Sequence, residues 1–478
     1  MGLEQSERLA TICSPRRAGD PWSKRWLPAA LAAWLALGAA AAGQARVPGD
    51  LNDDGAVDAA DRLLMRHLLA ENIGLSDVVA ANADVNEDGV FRGVDGAWLL
   101  LLEPPYRGRL LACAAVDTIS TAEADFLLLI SGLGELRPAR YPAVRYAVEY
   151  RTLTPWGGAA TATGLLALPG GASGTLPVVS YQHGTVTDRD EAPSRPDSTE
   201  GLGAALIYTA SGGYAATAPD YLGLGGGPGR HPYLHAATEA AAGIDLLRAA
   251  RTAAAGYGAT LDGPLFLAGY SQGGHATMAL HRELEARFGD AWPVTAAAPM
   301  AGPYDLSGTM LDYALSQDDY DPMLTVYVSY LLMMITDVYP FAPSPAEMFQ
   351  PPYDAQMVDL FDGTRTAGEI AAALPSRLAD LLLPEFAAAV QADPYHPVRV
   401  AAWLNDVYDW RPVSPLRMYH SAGDTVVPIG NAQVALARMT ALGAGVDLVV
   451  VSDTMGHGDA AIPCLLQSRL WFDSFVSR

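Results

Sequence analysis

From about residue 115 to the C-terminus, short apolar runs alternate with longer alanine-rich stretches of helical period. This is the pattern of a mostly parallel α/β sheet covered by helices. The runs that read as strands are 146–154, 160–168, 177–181, 214–218, 264–268, 294–298, 416–420 and 446–451, and a long helix is predicted over Ala236–Ala255. Between the sixth and seventh of these strands lies an insertion, 308–412, rich in Tyr, Met and Leu. Within it, 323–337 reads as a helix with an apolar face and 370–390 as shorter helical pieces interrupted at Pro375 and Pro384, so a helical cap is expected. At the other end, Arg16, Arg17, Lys24 and Arg25 precede an apolar run, 27–42, that closes in small residues. It is shorter than the ~20 apolar residues a bilayer span needs, so 1–45 reads as an export signal and the protein as secreted. The other long apolar stretch, 326–335, is also too short to span, and no integral membrane domain is expected.

The chain has 478 residues, half of them hydrophobic and 17% charged, which excludes a disordered chain and leaves room for one large unit and one small one. With 53 Asp plus Glu against 30 Lys plus Arg, the net charge is -23, which disfavours a phosphate backbone as partner. Of three cysteines, Cys13 lies in the export signal. Cys113 and Cys464 bracket nearly the whole second unit, and in an exported protein they either pair or remain two buried free thiols.

Two acidic loops repeat. Residues 50–61 read D-L-N-D-D-G-A-V-D-A-A-D and residues 84–95 read D-V-N-E-D-G-V-F-R-G-V-D. Each puts oxygen side chains at positions 1, 3, 5 and 12 and glycine at 6, the spacing that wraps a hard cation in oxygen ligands. Asp50, Asn52, Asp54 and Asp61, with the Ala56 carbonyl, would hold one Ca²⁺; Asp84, Asn86, Asp88 and Asp95, with the Val90 carbonyl, would hold a second. An apolar helical stretch follows each loop, position 12 is aspartate and no long helix precedes. The duplicated unit, 46–106, therefore resembles a small α-helical dockerin module, which implies two structural calcium ions and a cohesin-like partner. Where that family often carries Ser and Thr for the cohesin, this chain has Ala59-Ala60 and Gly93-Val94.

The sharpest chemical signal is Gly269-Tyr270-Ser271-Gln272-Gly273-Gly274, set between the strand 264–268 and the helical stretch 275–288. G-x-S-x-G in that setting presents a serine on a tight strand-to-helix turn, with glycines where the backbone doubles back. A serine needs a histidine to take its proton and a carboxylate to orient that histidine, in the order Ser, acid, His. Asp424 follows the strand 416–420 and His457 follows 446–451, so both stand at strand ends. Asp453 and Asp459 compete as acids, and His275 and His420 as bases. The oxyanion donors are expected to be the amide of Gln272 and an amide of the loop 181–185, Thr185 first with Gly184 beside it.

These residues, together with Pro219-Asp220-Tyr221-Leu222-Gly223-Leu224-Gly225 and His231-Pro232-Tyr233-Leu234-His235, make residues 115–478 resemble the secreted bacterial α/β-hydrolase esterases related to the secretory lipases. The resemblance implies hydrolysis of carboxylic esters with no catalytic cofactor, and loop-shaping roles for Asp220 and His231. The competing readings are a serine peptidase of the same fold and a noncatalytic, calcium-dependent scaffold component.

Overall fold

A computed structural model describes residues 106–316 and 321–476. The chain divides into two compact units, 1–102 and 103–478. The expected export signal and both calcium loops, with Asp50, Asn52, Asp54, Ala56, Asp61, Asp84, Asn86, Asp88, Val90 and Asp95, lie outside the described residues.

The second unit is built on one nine-stranded sheet. In chain order its strands are β1 (Leu110–Ile119), β2 (Ala143–Leu153), β3 (Ala159–Pro169), β5 (Val178–Gln182), β6 (Ala215–Pro219), β8 (Leu265–Tyr270), β9 (Val294–Met300), β10 (Leu416–Ser421) and β11 (Val446–Ser452). The two-residue strands β4 (Gly174–Thr175) and β7 (Ala259–Thr260) form a separate small ladder. Across the sheet the order is β1-β2-β3-β6-β5-β8-β9-β10-β11. The pairs β1·β2, β2·β3 and β3·β6 are antiparallel, and every later pair is parallel.

The central strands are apolar on both faces because helices cover both. On β8, Phe266 and Ala268 pack into one cluster with Leu128, Phe472 and Cys464, while Leu265 and Leu267 pack into another with Ile244, Leu247 and Leu280. The first face is covered by helices α1 (Thr121–Ile130) and α6 (His457–Asp473), the second by α2 (Ala236–Ala255) and α3 (Gln272–Arg287). Alanine-rich α2 approaches α3 closely; a Cβ on Gly243 would stand 2.9 Å from a Leu280 methyl.

The eight strands and the long helix expected from the sequence are all present, with ends shifted by a few residues. Strand β1 was not expected, and it moves the start of the sheet upstream of residue 115. It is an edge strand whose burial follows no two-residue period, with two register shifts against β2, so its sequence carries no alternation to read. The insertion between β9 and β10 is helical as expected: α4 (Met323–Val338) is its longest helix, and the shorter pieces part at Pro375, between Ala367–Ala373 and Leu378–Leu381, and at Pro384, which opens α5 (Pro384–Ala392). Met333, Met334, Met348 and Met357 are all buried in the cap's own cluster. No helix of the described residues is long and apolar enough to cross a membrane.

Cys113, half-buried, and Cys464, buried, are both unpaired in the structure. Cys113 sits on β1 and packs with the α2 face, its Sγ 3.8 Å from the Tyr257 hydroxyl, whereas Cys464 is buried in α6 in the cluster on the opposite face. The sheet separates them. Burial pushes the Cys464 thiol up to about 12, with Asp424 adding to the effect.

Two measurements check this core. Alkylation of the denatured, unreduced protein should modify both Cys113 and Cys464, and a bridged peptide in the digest would contradict the arrangement. Replacing Phe266, fully buried between Tyr214 and Phe472, with Ala should lower stability by about 3–5 kcal/mol in urea unfolding.

Candidate active site

Strand β8 ends at Tyr270 and α3 begins at Gln272, so Ser271 alone makes the turn, at φ 61 and ψ -122. That left-handed backbone is costly for a residue with a side chain and persists only where its surroundings enforce it. Here they do. A Cβ on Gly273 would lie 1.9 Å from the Gln182 carbonyl oxygen, and one on Gly269 would lie 2.3 Å from the carbonyl of Gly273. The Ser271 amide donates to the Met300 carbonyl at 2.9 Å, tying the turn to the end of β9.

His457 is the first residue of α6, and the Tyr270 hydroxyl donates to its carbonyl at 2.5 Å. Its Nε2 is 2.8 Å from Ser271 Oγ, and its Nδ1 is 2.6 Å from Asp424 Oδ2. The Oδ1 of Asp424 accepts the amides of Val426 and Val427, both at 2.9 Å. Burial alone would raise this carboxyl, but hydrogen bonds from His420 and His457 and the Val427 amide hold it well below the usual carboxylate range. The carboxylate is thus fully charged while facing the imidazole. Asp424, not Asp453 or Asp459, is the acid brought to His457. Neither competing histidine is brought to Ser271: His275 is engaged with Glu239 and Asn405, and His420 with the Val427 carbonyl and, at 3.5 Å, with Asp424 itself.

As the first residue of α3, Gln272 has an amide with no intrahelical acceptor. The loop after β5 offers two candidates, Gly184 and Thr185, and is bordered by Glu200, which accepts from the Tyr181 hydroxyl at 2.8 Å. The Thr185 Oγ1 is 2.9 Å from the Tyr233 hydroxyl. Asp220 binds Ser194 and Thr163 and shapes the loops, as the sequence suggested. His231 does more than that: its Nε2 is 2.7 Å from the Gln272 side-chain nitrogen. Glu239 and Asn405, which also reach the turn from beneath, carried no motif by which sequence reasoning could have found them.

Above Ser271 opens a cleft with an almost wholly apolar lining. Leu306, Met310, Leu324, Tyr327 and Leu331 come from the insertion and its entry, and Tyr233, Val426 and Val427 from the loops of the sheet. The arrangement can present an activated hydroxyl to a carbonyl carbon whose apolar substituent occupies the cleft.

Solved structures share this fold. The ligand-bound form of the rice cell wall degrading esterase LipA from Xanthomonas oryzae is 30% identical over 78% of this chain and 97% of its own, with a TM-score of 0.67. The chain belongs to this bacterial esterase/lipase family of α/β-hydrolases. A protein of Legionella pneumophila described as a hydrolase is likewise 30% identical to this family member, over 77% of this chain and 98% of its own, with a TM-score of 0.72. Candida antarctica lipase A, at 16% identity and a TM-score of 0.57 over 78% of this chain and 83% of its own, shares the fold. Residues 48–100 match the dockerin type I domain. No curated protein matches the chain.

Burial lowers three histidines packed around this hydrolase site, His183 and His235 to about 4 and His231 to about 3. With folded values below the unfolded one, the unfolded chain binds more protons as pH falls. Their contribution to stability is complete above about pH 6.5 and is lost on acidification toward pH 3. His231→Gln should flatten unfolding free energy against pH between about 6 and 4 by about one proton, or about 1.4 kcal/mol per pH unit. An unchanged slope in urea titrations would contradict the neutral, buried state of His231.

Proposed function

We propose that the protein is a secreted serine esterase that hydrolyses carboxylic esters through an acyl-enzyme. The observation that carries this reading is the unbroken hydrogen-bonded chain Ser271–His457–Asp424 at the foot of an apolar cleft. Ser271 Oγ attacks the ester carbonyl as His457 Nε2 takes its proton. Asp424, held by two backbone amides, fixes the imidazole with Nδ1–H facing the carboxylate and stabilises the imidazolium that forms. The oxyanion is bound by the amides of Gln272 and Thr185, and the dipole of α3 favours the same charge. His457 then returns its proton to the leaving alcohol. Water, deprotonated by the same nitrogen, releases the acid.

The match of 48–100 to dockerin supports the remainder of the reading: two calcium ions held in the loops 50–61 and 84–95, a cohesin-like partner, and action outside the cell after removal of 1–45. The donor set, with side-chain oxygens at four positions of each loop, suits a hard cation. In residues 46–106, 12 Asp plus Glu face 4 Arg, so bound cations would relieve the repulsion. The likeness to an esterase described as degrading rice cell walls favours polysaccharide-linked esters as substrates.

Ser271→Ala should abolish turnover across p-nitrophenyl esters of increasing acyl length while leaving the unfolding curve intact; retained turnover would refute the assignment. Peptide substrates should not be cleaved. For the N-terminal unit, calorimetry of residues 46–106 should show a folding transition in calcium that chelator removes. The same transition in both would reject the calcium sites.

A further inference from the structure

Beneath the turn at Ser271 lies a buried polar network that the proton relay does not use. Glu239 stands in the first turn of α2 and is 1% exposed; His275, in the first turn of α3, is fully buried. One carboxylate oxygen of Glu239 accepts from the Gln272 side-chain nitrogen at 2.9 Å, and the other is 2.7 Å from His275 Nδ1. The Gln272 nitrogen spends its second hydrogen on His231 Nε2 at 2.7 Å. His231 is fixed as an acceptor there, because its Nδ1 faces the Leu222 carbonyl at 2.9 Å and must carry the proton. The orientation of the amide follows: turned over, its oxygen would meet a carboxylate and a lone pair. Its Oε1 has no hydrogen-bond partner among the described residues, so the side chain is held by its nitrogen alone.

The same network is moored at its far end. His275 Nε2 donates to the Asn405 carbonyl at 2.8 Å, and Asn405 Oδ1 accepts the amide of Ala236, the first residue of α2. Asn405 also donates to the Tyr339 hydroxyl at 2.7 Å, just past the end of α4. Glu239 therefore sits on a helix whose start is pinned, and it holds two residues of the turn, Gln272 and His275. The amides of Gly274 and His275 close the first turn of α3 on the Ser271 carbonyl at 2.8 and 3.3 Å, and the side chain of Gln272 adds a second hold on that turn from below.

We propose that Glu239 is a positioning residue that aims the Gln272 amide at the oxyanion by gripping the Gln272 side chain. The proposal rests on the reading of Ser271 as nucleophile. Its benefit is felt in the transition state, where charge develops on the carbonyl oxygen, and little in substrate binding. Losing one oxyanion donor costs about 10²–10³ in rate, and a donor displaced but still present costs less, on the order of 10- to 100-fold.

The test is a mutant cycle in the full chain, read on a soluble p-nitrophenyl ester and on an alkyl boronic acid that forms a tetrahedral adduct with the serine. Glu239→Ala and Gln272→Ala should each lower kcat by about 10- to 100-fold, with KM within about threefold, and weaken the boronate by a like factor. The double variant should be no worse than the worse single one, because both cut the same tether. Glu239→Gln, whose amide keeps an oxygen for Gln272 and sets a nitrogen against His275, should recover most of the lost kcat. Multiplying losses in the double variant, or an unchanged kcat in either single variant, would overturn the proposal. If Glu239→Ala does not fold, Gln272→Ala alone decides, since it leaves the Glu239–His275 pair in place. Ser271→Ala separates the two levels: turnover surviving there sinks the nucleophile, whereas turnover lost there but intact in the Glu239 and Gln272 variants sinks only the positioning role.

Discussion

The constraint on which the rest depends is the backbone at Ser271, a residue with a side chain held at positive φ between a strand and a helix. Nothing local favours that conformation. It is imposed by the closeness of β8, α3 and the end of β5, which leaves no room for a side chain at Gly269 or Gly273, and by the amide bond from Ser271 to Met300. The strain is repaid in geometry: the hydroxyl stands clear of the sheet, the first amide of the helix is left without an acceptor, and the imidazole of His457 lies within hydrogen-bond reach.

Electrostatics around the turn divides into two layers. On the cleft side, the Asp424 carboxylate is kept charged by His420, His457 and backbone amides, so the imidazole faces a fixed negative partner. Below the turn, Glu239, His275, His231 and the Gln272 side-chain nitrogen are buried and hydrogen-bonded to one another. Groups of this kind are expensive to leave unpaired in a low-dielectric interior, so once paired they rigidify what they touch. The cap joins both layers: it walls the cleft with Leu306, Leu324 and Leu331, and the residues that close it bring Tyr339 and Asn405 to the buried network.

Much of the scaffold was legible because central strands buried on both faces read as short apolar runs, and because helix-forming alanine and helix-opening proline mark their own boundaries. Strand β1 was not legible: an edge strand with two register shifts leaves no period in its residues. The serine turn was readable from G-x-S-x-G because the glycines record a backbone approach between near neighbours in sequence and an adjacent strand.

The sequence by itself determined the alternation of strand and helix, the serine turn, the helical cap and the repeated acidic loops, since each is written in residues close together along the chain. The tertiary structure alone decided which aspartate faces His457, that Cys113 and Cys464 lie on opposite faces of the sheet, and that Glu239 reaches Gln272 from another helix. These depend on residues tens to hundreds of positions apart meeting in space. Spacing along a chain sets what can meet; the packing of the layers selects which of those meetings occurs.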